Sequence, residues 1–201
     1  NPNNEANAAD KTIKIAVLPK MRGENYWDAC STGCEEAVEE LKAAGIAAEL
    51  LYDGPPQDQT SNQKQVDILE GWLAQGVDVI VTGVVDSAAI VPTLQKAQGK
   101  GVKVVTFDTD SSEDSRDFFV NQCAVDDVAK GLLNAAKREL EAKGYGKDNP
   151  ARIAIVAADK TESNHQAWLA AIKELLKTDE YSFMSIENED TDVYYPGSAE
   201  T

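Results

Sequence analysis

The chain has 201 residues, enough for one large domain or two small ones. It carries 19 Lys and Arg against 35 Asp and Glu, a formal charge of −16 at pH 7. A surface this negative repels phosphate backbones and anionic lipid, which argues against nucleic-acid binding. No apolar run approaches the roughly 20 residues that span a bilayer. Residues 1–10, NPNNEANAAD, are predicted to be a disordered tail, as in a mature N-terminus after signal removal or a lipoprotein tether.

Up to Phe107 the sequence alternates between strand-like and helix-like spacing. The β-rich runs that predict strands are 13–18, 46–52, 77–82 and 102–107. Apolar residues at helical spacing between them predict helices over 27–41, 66–73 and 87–100. Strand and helix in strict alternation require βαβ crossovers, which are right-handed, so this part is predicted to be a parallel, doubly wound α/β sheet.

After Phe107 the rhythm breaks and then restarts. Further strands are predicted over 118–122, 152–157 and 181–186, with helices over 126–143 and 162–177. We therefore predict two Rossmann-like doubly wound lobes, the second about two βα units short and apparently truncated. The predicted organisation is a tail over 1–10, an N-terminal lobe over 11–110, a hinge crossing over 111–117 and an incomplete C-terminal lobe over 118–201.

Open parallel sheets bind ligands beyond the carboxyl ends of their strands, which selects a short set of candidate residues. The positions that follow the strands include Lys20, Tyr26, Trp27, Asp108, Asn164 and His165, and also Asp53, Asp86, Asp110, Asn121 and Gln122. Carboxylates, amides and aromatic faces together suit a sugar or polyol. Tyr26 and Trp27 can equally belong to a helix-face core, and His165 can be a surface residue. Lys20 and Asp108 follow buried strands, where an unpaired charge is costly, so they are expected to satisfy each other or a ligand.

Three other aspartates near strand ends have simple structural interpretations. Asp53 heads the turn DGPP, and Asp86 precedes Ser87 as an N-cap residue would. Asp110 opens an acidic run that is typical of a solvated hinge.

The sequence lacks the nucleophile elbow, the Walker A loop and the G-x-G-x-x-G fingerprint. One segment, VVTFDTDSS, resembles the nucleophile motif of haloacid-dehalogenase-type phosphohydrolases, with Asp108 attacking and Asp110 as acid and base. That motif normally lies on the first strand, and the charge of −16 suits a phosphate substrate poorly. Neither enzyme activity nor a cofactor is therefore expected. The chain has one histidine and three cysteines, and Cys30 and Cys34 are interpreted as small buried hydrophobes. No metal site is therefore expected either.

An ordered set of motifs carries a family resemblance: IAVLPK, YW, YDGP, GVDVIVTGV, GVKVVTFDTD and FFVNQ. In this order and spacing they resemble type I periplasmic solute-binding proteins of ABC importers, in the branch that includes autoinducer-2-binding and rhamnose-binding proteins. The resemblance implies two lobes that close on a small sugar, a permease partner, a monomer, and a periplasmic, lipid-tethered or secreted location. A LacI-type ligand-sensing domain shares this fold but would need a basic helix-turn-helix before Lys11.

The resemblance also assigns roles to the candidate residues. Lys20 falls on the ligand-binding lysine of the autoinducer-2 proteins, and Asp108 falls on the aspartate that holds the ligand. Tyr26 and Trp27 fall on paired aromatics that sandwich the sugar ring. Asn164 and His165 replace an adjacent Asp and Gln, a departure that favours a pentose, deoxyhexose or related polyol, with an autoinducer-2 receptor as the alternative.

Overall fold

A five-stranded parallel sheet organises the first part of the chain. The structure, a computed structural model, describes residues 11–157, 160 and 162–196. The chain divides into two compact units, 1–121 and 122–201. The strands of the first unit are β1 (Ile13–Leu18), β2 (Ala48–Tyr52), β3 (Val79–Thr82), β4 (Lys103–Phe107) and β5 (Phe118–Val120). Their order in the sheet is β2-β1-β3-β4-β5, so β1, β3 and β4 lie at its centre. The predicted parallel α/β fold is present.

Three helices pack beside this sheet: α1 (Asn25–Ala43), α2 (Asn62–Gln75) and α3 (Val91–Gly99). Helix α2 begins where the Ser61 hydroxyl accepts a hydrogen bond from the Lys64 amide, and it ends at Gly76, whose φ of 72° is left-handed. Helix α3 begins at Val91, later than the predicted residue 87, because Pro92 fits only in a first turn. Side chains of α2 and α3 bury one face of the sheet, including Leu18, Ile80 and Val104.

The strand Phe118–Val120 corrects the sequence prediction, which assigned it to the second lobe. It pairs with β4, with Val105 opposite Phe118, and completes the first sheet. The preceding acidic loop folds back through a short 3-10 turn at Glu113–Ser115 instead of crossing away. Asp117 anchors the return, because its carboxylate accepts the Val104 amide at 2.9 Å.

Over its described residues, the second unit contains three helices: α4 (Val125–Ala142), α5 (Ser163–Leu176) and the short α6 (Glu189–Asp192). Its strands are β6 (Ala151–Arg152), β7 (Ile155–Val156), β8 (Met184–Ser185) and β9 (Val193–Tyr194). Strand β6 pairs with β8 and β7 pairs with β9, both in parallel. The predicted strand over 152–157 is therefore two short strands, and the one over 181–186 is only two residues long.

The core of the second unit lies between helices α4 and α5 and the pair of strands β6 and β8. Its buried members are Ala129, Leu133, Ile172, Tyr181, Phe183 and Met184. Tyr181 places its hydroxyl 2.7 Å from the Asn134 side-chain oxygen, so its polar end is satisfied within the core. In the part of the chain that the structure describes, no helix is long and apolar enough to cross a membrane.

Candidate ligand-binding site

A buried ion pair lies at the carboxyl ends of two central strands of the first unit. Lys20 follows β1, Asp108 follows β4, and the Lys20 Nζ is 3.0 Å from the Asp108 Oδ2. Their side chains are only 6% and 14% exposed. The Thr109 hydroxyl also donates to Asp108, at 3.0 Å. The pair thus presents a donor and an acceptor that are held in place before any ligand arrives.

Asp108 has a backbone conformation that the sequence did not reveal. Its φ of 60° is left-handed, a region that Asp and Asn tolerate better than most residues. Left-handed non-glycine residues persist where the surrounding structure holds them, and they cluster at ligand clamps. Here the turn aims the Asp108 carboxylate back towards Lys20.

The first turn of α1 supplies two aromatic rings that differ in exposure. The Trp27 ring is buried, with 4% of the residue exposed, while Tyr26 is 41% exposed. The two rings meet edge to face at 4.7 Å, and Trp27 meets Phe107 in the same way at 5.8 Å. The Trp27 carbonyl also accepts the Tyr52 hydroxyl at 2.8 Å. Trp27 is thus part of the packed support, and Tyr26 is the ring that solvent and a ligand can reach.

The phenol of Tyr26 is electrostatically tied to the same cluster. Partial burial, the negative charge of Asp108 and the neighbouring Cys30 thiol raise the pKa of Tyr26 to about 12. Burial likewise raises the pKa of Cys30, which lies one helical turn after Tyr26 on α1. The Tyr26 hydroxyl therefore keeps its proton at neutral pH and serves as a hydrogen-bond donor beside the Asp108 carboxylate.

A fully buried amide, Gln65, connects the loops that carry these residues. Its Nε2 donates to the Pro19 carbonyl at 3.2 Å and to the Gly83 carbonyl at 2.8 Å. Its Oε1 accepts the Val85 amide at 2.9 Å. Sequence reasoning missed Gln65, although one signal was available. Gln65 occupies a core position of α2, one turn before Leu69, where an apolar residue is expected.

Asp110 is fixed by an arginine, which corrects its interpretation as part of a solvated hinge. Arg116 makes a two-pronged contact, with Nε 2.8 Å from one carboxylate oxygen and Nη2 2.8 Å from the other. The Thr106 hydroxyl donates to the same carboxylate at 2.5 Å. These bonds tie the loop after Asp108 to the end of β4.

Asp53 and Asp86 make the local contacts that their sequence positions suggest. The Asp53 carboxylate accepts the Gly54 amide at 2.8 Å, which is the bond of a turn-forming aspartate. The Asp86 carboxylate accepts the Ala88 and Ala89 amides, both at 2.9 Å, as a capping residue does.

The other two candidates lie together in the second unit. Asn164 and His165 occupy the first turn of α5, and both are partly buried. The His165 ring lies 5.3 Å from the Trp168 ring, and its Nδ1 is buried without a hydrogen-bond partner among the described residues. Across those same residues, no group of three or more His, Cys, Asp or Glu side chains is arranged to hold a metal ion.

Comparison with known proteins places the chain in a family. Residues 15–200 match the family model described as a periplasmic binding protein domain. The chain belongs to this family. The resemblance inferred from the sequence motifs is therefore confirmed at family level.

Individual relatives of this periplasmic binding protein domain include both sequences and solved structures. The ribose import binding protein RbsB of Bacillus subtilis is 28% identical over 135 residues, which is 67% of this chain and 40% of that protein. An ABC transporter solute-binding protein from Clostridium phytofermentas, solved with bound L-rhamnose, has a TM-score of 0.77 and 26% identity. LsrB from Clostridium saccharobutylicum, solved with AI-2, has a TM-score of 0.78 and 21% identity, a likeness of fold. The chain covers 53% of each of these two structures, about half of their length.

Proposed function

We propose that this periplasmic binding protein domain belongs to the substrate-binding component of an ABC importer and binds a small sugar or related polyol. The observation that carries the proposal is the buried pair of Lys20 and Asp108 at the carboxyl edge of the sheet, beside the accessible ring of Tyr26. Parallel sheets use this edge to bind ligands. The family and the sugars named for its relatives support the same ligand class.

The chemistry of the cluster suits vicinal hydroxyls. An ammonium group donates, a carboxylate accepts, and the protonated phenol of Tyr26 donates beside them, so a diol finds complementary partners without reorganisation of the cluster. The face of the Tyr26 ring can cover the apolar side of a sugar. We further propose Asn164 and His165 of the second unit as additional ligand contacts, and Trp27 as the support that orients Tyr26.

The proposal extends to partners and location. A substrate-binding component delivers its sugar to a membrane permease, so we propose an ABC permease as the macromolecular partner and an extracytoplasmic, periplasmic location. The charge of −16 disfavours nucleic acid as a partner. We propose that the protein acts as a monomer that releases its ligand unchanged.

The contacts of the two aspartates weigh against a phosphohydrolase. A catalytic carboxylate at Asp110 would have to exchange protons, yet Arg116 holds it in two hydrogen bonds and the Thr106 hydroxyl donates to it as well. The nucleophile in such an enzyme would be Asp108, whose side chain is only 14% exposed. Binding without turnover fits these contacts better than phosphate transfer.

The test is a thermal-shift panel followed by calorimetric titration of each responder. The panel contains L-rhamnose, D-ribose, D-arabinose, D-glucose, ribitol and AI-2. A binder at about 1,000 times its Kd adds about 4 kcal/mol to the folded state, which raises the Tm by roughly 2–4 °C per kcal/mol for a chain of this size.

The Asp108→Asn variant should lose the response, because it removes the charged acceptor of the pair. Glu39→Gln makes the same charge change at an exposed position of α1 and should keep it. A flat panel with folded protein would contradict the proposal. Mg²⁺-dependent release of phosphate from p-nitrophenyl phosphate, abolished by Asp108→Asn, would favour the enzyme instead.

A further inference from the structure

We infer that Gln65 is the positioning residue of this cluster, and that one buried amide sets the placement of Lys20 and of the Trp27 ring together. The inference rests on the proposed function, since it concerns the residues proposed to bind the sugar. Neither residue is a partner of a Gln65 side-chain hydrogen bond. Gln65 acts through the backbone of the two loops that follow β1 and β3.

The Gln65 amide group makes three hydrogen bonds, and all three go to these two loops. Both amide protons go to carbonyl oxygens, those of Pro19 and Gly83, and the amide oxygen accepts the Val85 N–H. The residue is 0% exposed. A buried amide costs free energy unless it is hydrogen-bonded, so a core position that only needed volume would be filled by an apolar side chain. The hydrogen bonds of this amide instead join two loops.

The first loop carries Lys20. Pro19 directly precedes Lys20, so the bond to the Pro19 carbonyl fixes the peptide unit from which the lysine side chain departs. The Pro19 ring also packs closely against Gly54, where an added Cβ would lie 2.9 Å from the Pro19 Cγ. The Gln65 hydrogen bond and the Gly54 contact thus fix the backbone that precedes Lys20. This keeps the Lys20 ammonium group 3.0 Å from the Asp108 carboxylate.

The second loop carries the seat of Trp27. The bond to the Gly83 carbonyl and the bond from the Val85 amide hold this loop on both sides of Val84. Gly83 in turn faces the Trp27 ring so closely that an added Cβ would lie 3.2 and 3.3 Å from two ring atoms. A shift of this loop therefore moves the ring on which Tyr26 packs.

The experiment measures the placement of Lys20 without any ligand. Amine acylation by an N-hydroxysuccinimide ester, followed by mass spectrometry, reports the labelling rate of Lys20 relative to the exposed Lys100. In Gln65→Met, which keeps the side-chain volume and loses all three bonds, we expect Lys20 to be labelled at least 10-fold faster than in the parent protein. The matched control is Leu69→Ala, one turn along the same helix and also fully buried.

The control separates positioning from general loss of stability. Leu69→Ala should leave the relative Lys20 labelling rate within twofold of the parent, although it lowers the unfolding midpoint. If Gln65→Met and Leu69→Ala raise the rate equally, or neither does, the inference is overturned. Should Gln65→Met fail to fold, Gln65→Glu replaces it. That variant keeps the acceptor for Val85 and loses at least one donor, so a rise of threefold or more supports the inference and an unchanged rate overturns it.

A second readout links the inference to binding. Titration with L-rhamnose, or with the strongest responder of the sugar panel, should give a Kd at least 10-fold weaker in Gln65→Met and within twofold of the parent in Leu69→Ala. If no sugar binds the parent protein, the proposed function fails while the labelling ratio still decides the role of Gln65. If sugars bind equally well to both variants, Gln65 is a packing residue only.

Discussion

Lys20 and Asp108 neutralise each other at the carboxyl edge of the first sheet, with 3.0 Å between the Nζ and the Oδ2. Strand β3 lies between the strands that carry them, so the contact bridges the central three strands of the sheet. Charges buried this deeply are tolerated only when they are paired, because desolvation of either charge alone costs much free energy. Each residue therefore stabilises the position of the other, and the pair is oriented in the absence of a ligand.

A double-mutant cycle tests this mutual dependence. Asp108→Asn leaves the Lys20 ammonium without its charge partner and should cost roughly 3 kcal/mol of unfolding free energy, as should Lys20→Met. Asn tolerates the left-handed backbone at this position, so the cost reports charge and not strain. The double variant should lose at least about 1 kcal/mol less than the sum of the two singles. Urea unfolding measures all four proteins, and strict additivity would contradict the coupling.

Gly83 should tolerate no side chain, because of the ring that it faces. In Gly83→Ala the new methyl group would lie 3.2 Å from the nearest Trp27 ring atom, and the ring has Tyr26 and Phe107 beside it. We expect a loss of about 1–3 kcal/mol, the range for overpacking a core, together with altered tryptophan fluorescence.

The matched control for that substitution is Gly71→Ala on α2. An added Cβ there meets nothing within 4 Å, so the variant should gain up to about 1 kcal/mol from its better helix propensity. Urea unfolding compares the two variants. Equal stability of Gly83→Ala and the parent protein would show that the Trp27 ring is free to move.

The ionisation of Tyr26 reports on Asp108 from the other side. Burial and then the Asp108 charge raise the pKa of Tyr26 to about 12, and burial raises the pKa of Tyr52 to a similar value without Asp108 among its causes. Asp108→Asn should therefore lower the pKa of Tyr26 and leave that of Tyr52 unchanged. Because the folded-state pKa of Tyr26 is raised, its contribution to stability falls as pH rises above about 10. Alkaline titration by NMR of labelled tyrosine rings resolves the two residues, and equal shifts would contradict the assignment.

The sequence predicts the candidate site best for residues whose position follows from the end of a single predicted strand. Lys20 and Asp108 each follow a buried apolar run at once, and their pairing follows from parallel strands that end at one edge. The two aromatics are harder, because helical spacing places Tyr26 and Trp27 on α1 without stating which ring is buried. That division depends on Phe107 of β4 and on Gly83 in the loop after β3.

Other features depend on contacts that local patterns do not encode. The alternation that restarts after a polar loop predicts β5 in the second lobe, and only the pairing of Phe118 with Val105 places it in the first sheet. The role of Gln65 depends on two loops that meet at its amide group. Asp110 belongs to an acidic run, which is typical of solvated loops, yet a single arginine six residues later holds it. Such contacts emerge only in three dimensions.

In the second unit, Asp192 should set the response to acid. Its buried carboxylate accepts hydrogen bonds from Arg152 and from the Glu187 amide at 2.9 Å and the Asn188 amide at 3.1 Å. The bond from the Arg152 guanidinium, together with these amides, holds the pKa of Asp192 well below its usual range. A depressed folded-state pKa gives stability that is present above about pH 4 and is lost as the pH falls towards the folded-state pKa.

We therefore expect hydrogen exchange over residues 187–193 to accelerate as the pH falls below about 4, after correction for the intrinsic pH dependence of exchange. Asp192→Asn should show the faster exchange already at pH 7 and lose the acid response. The control is Asp179→Asn in the same unit. That carboxylate is 92% exposed and pairs with Lys147 at 2.6 Å, where solvent screens the interaction, so its removal should leave both the exchange and its pH dependence unchanged. An acid response that survives in Asp192→Asn would assign it to another carboxylate.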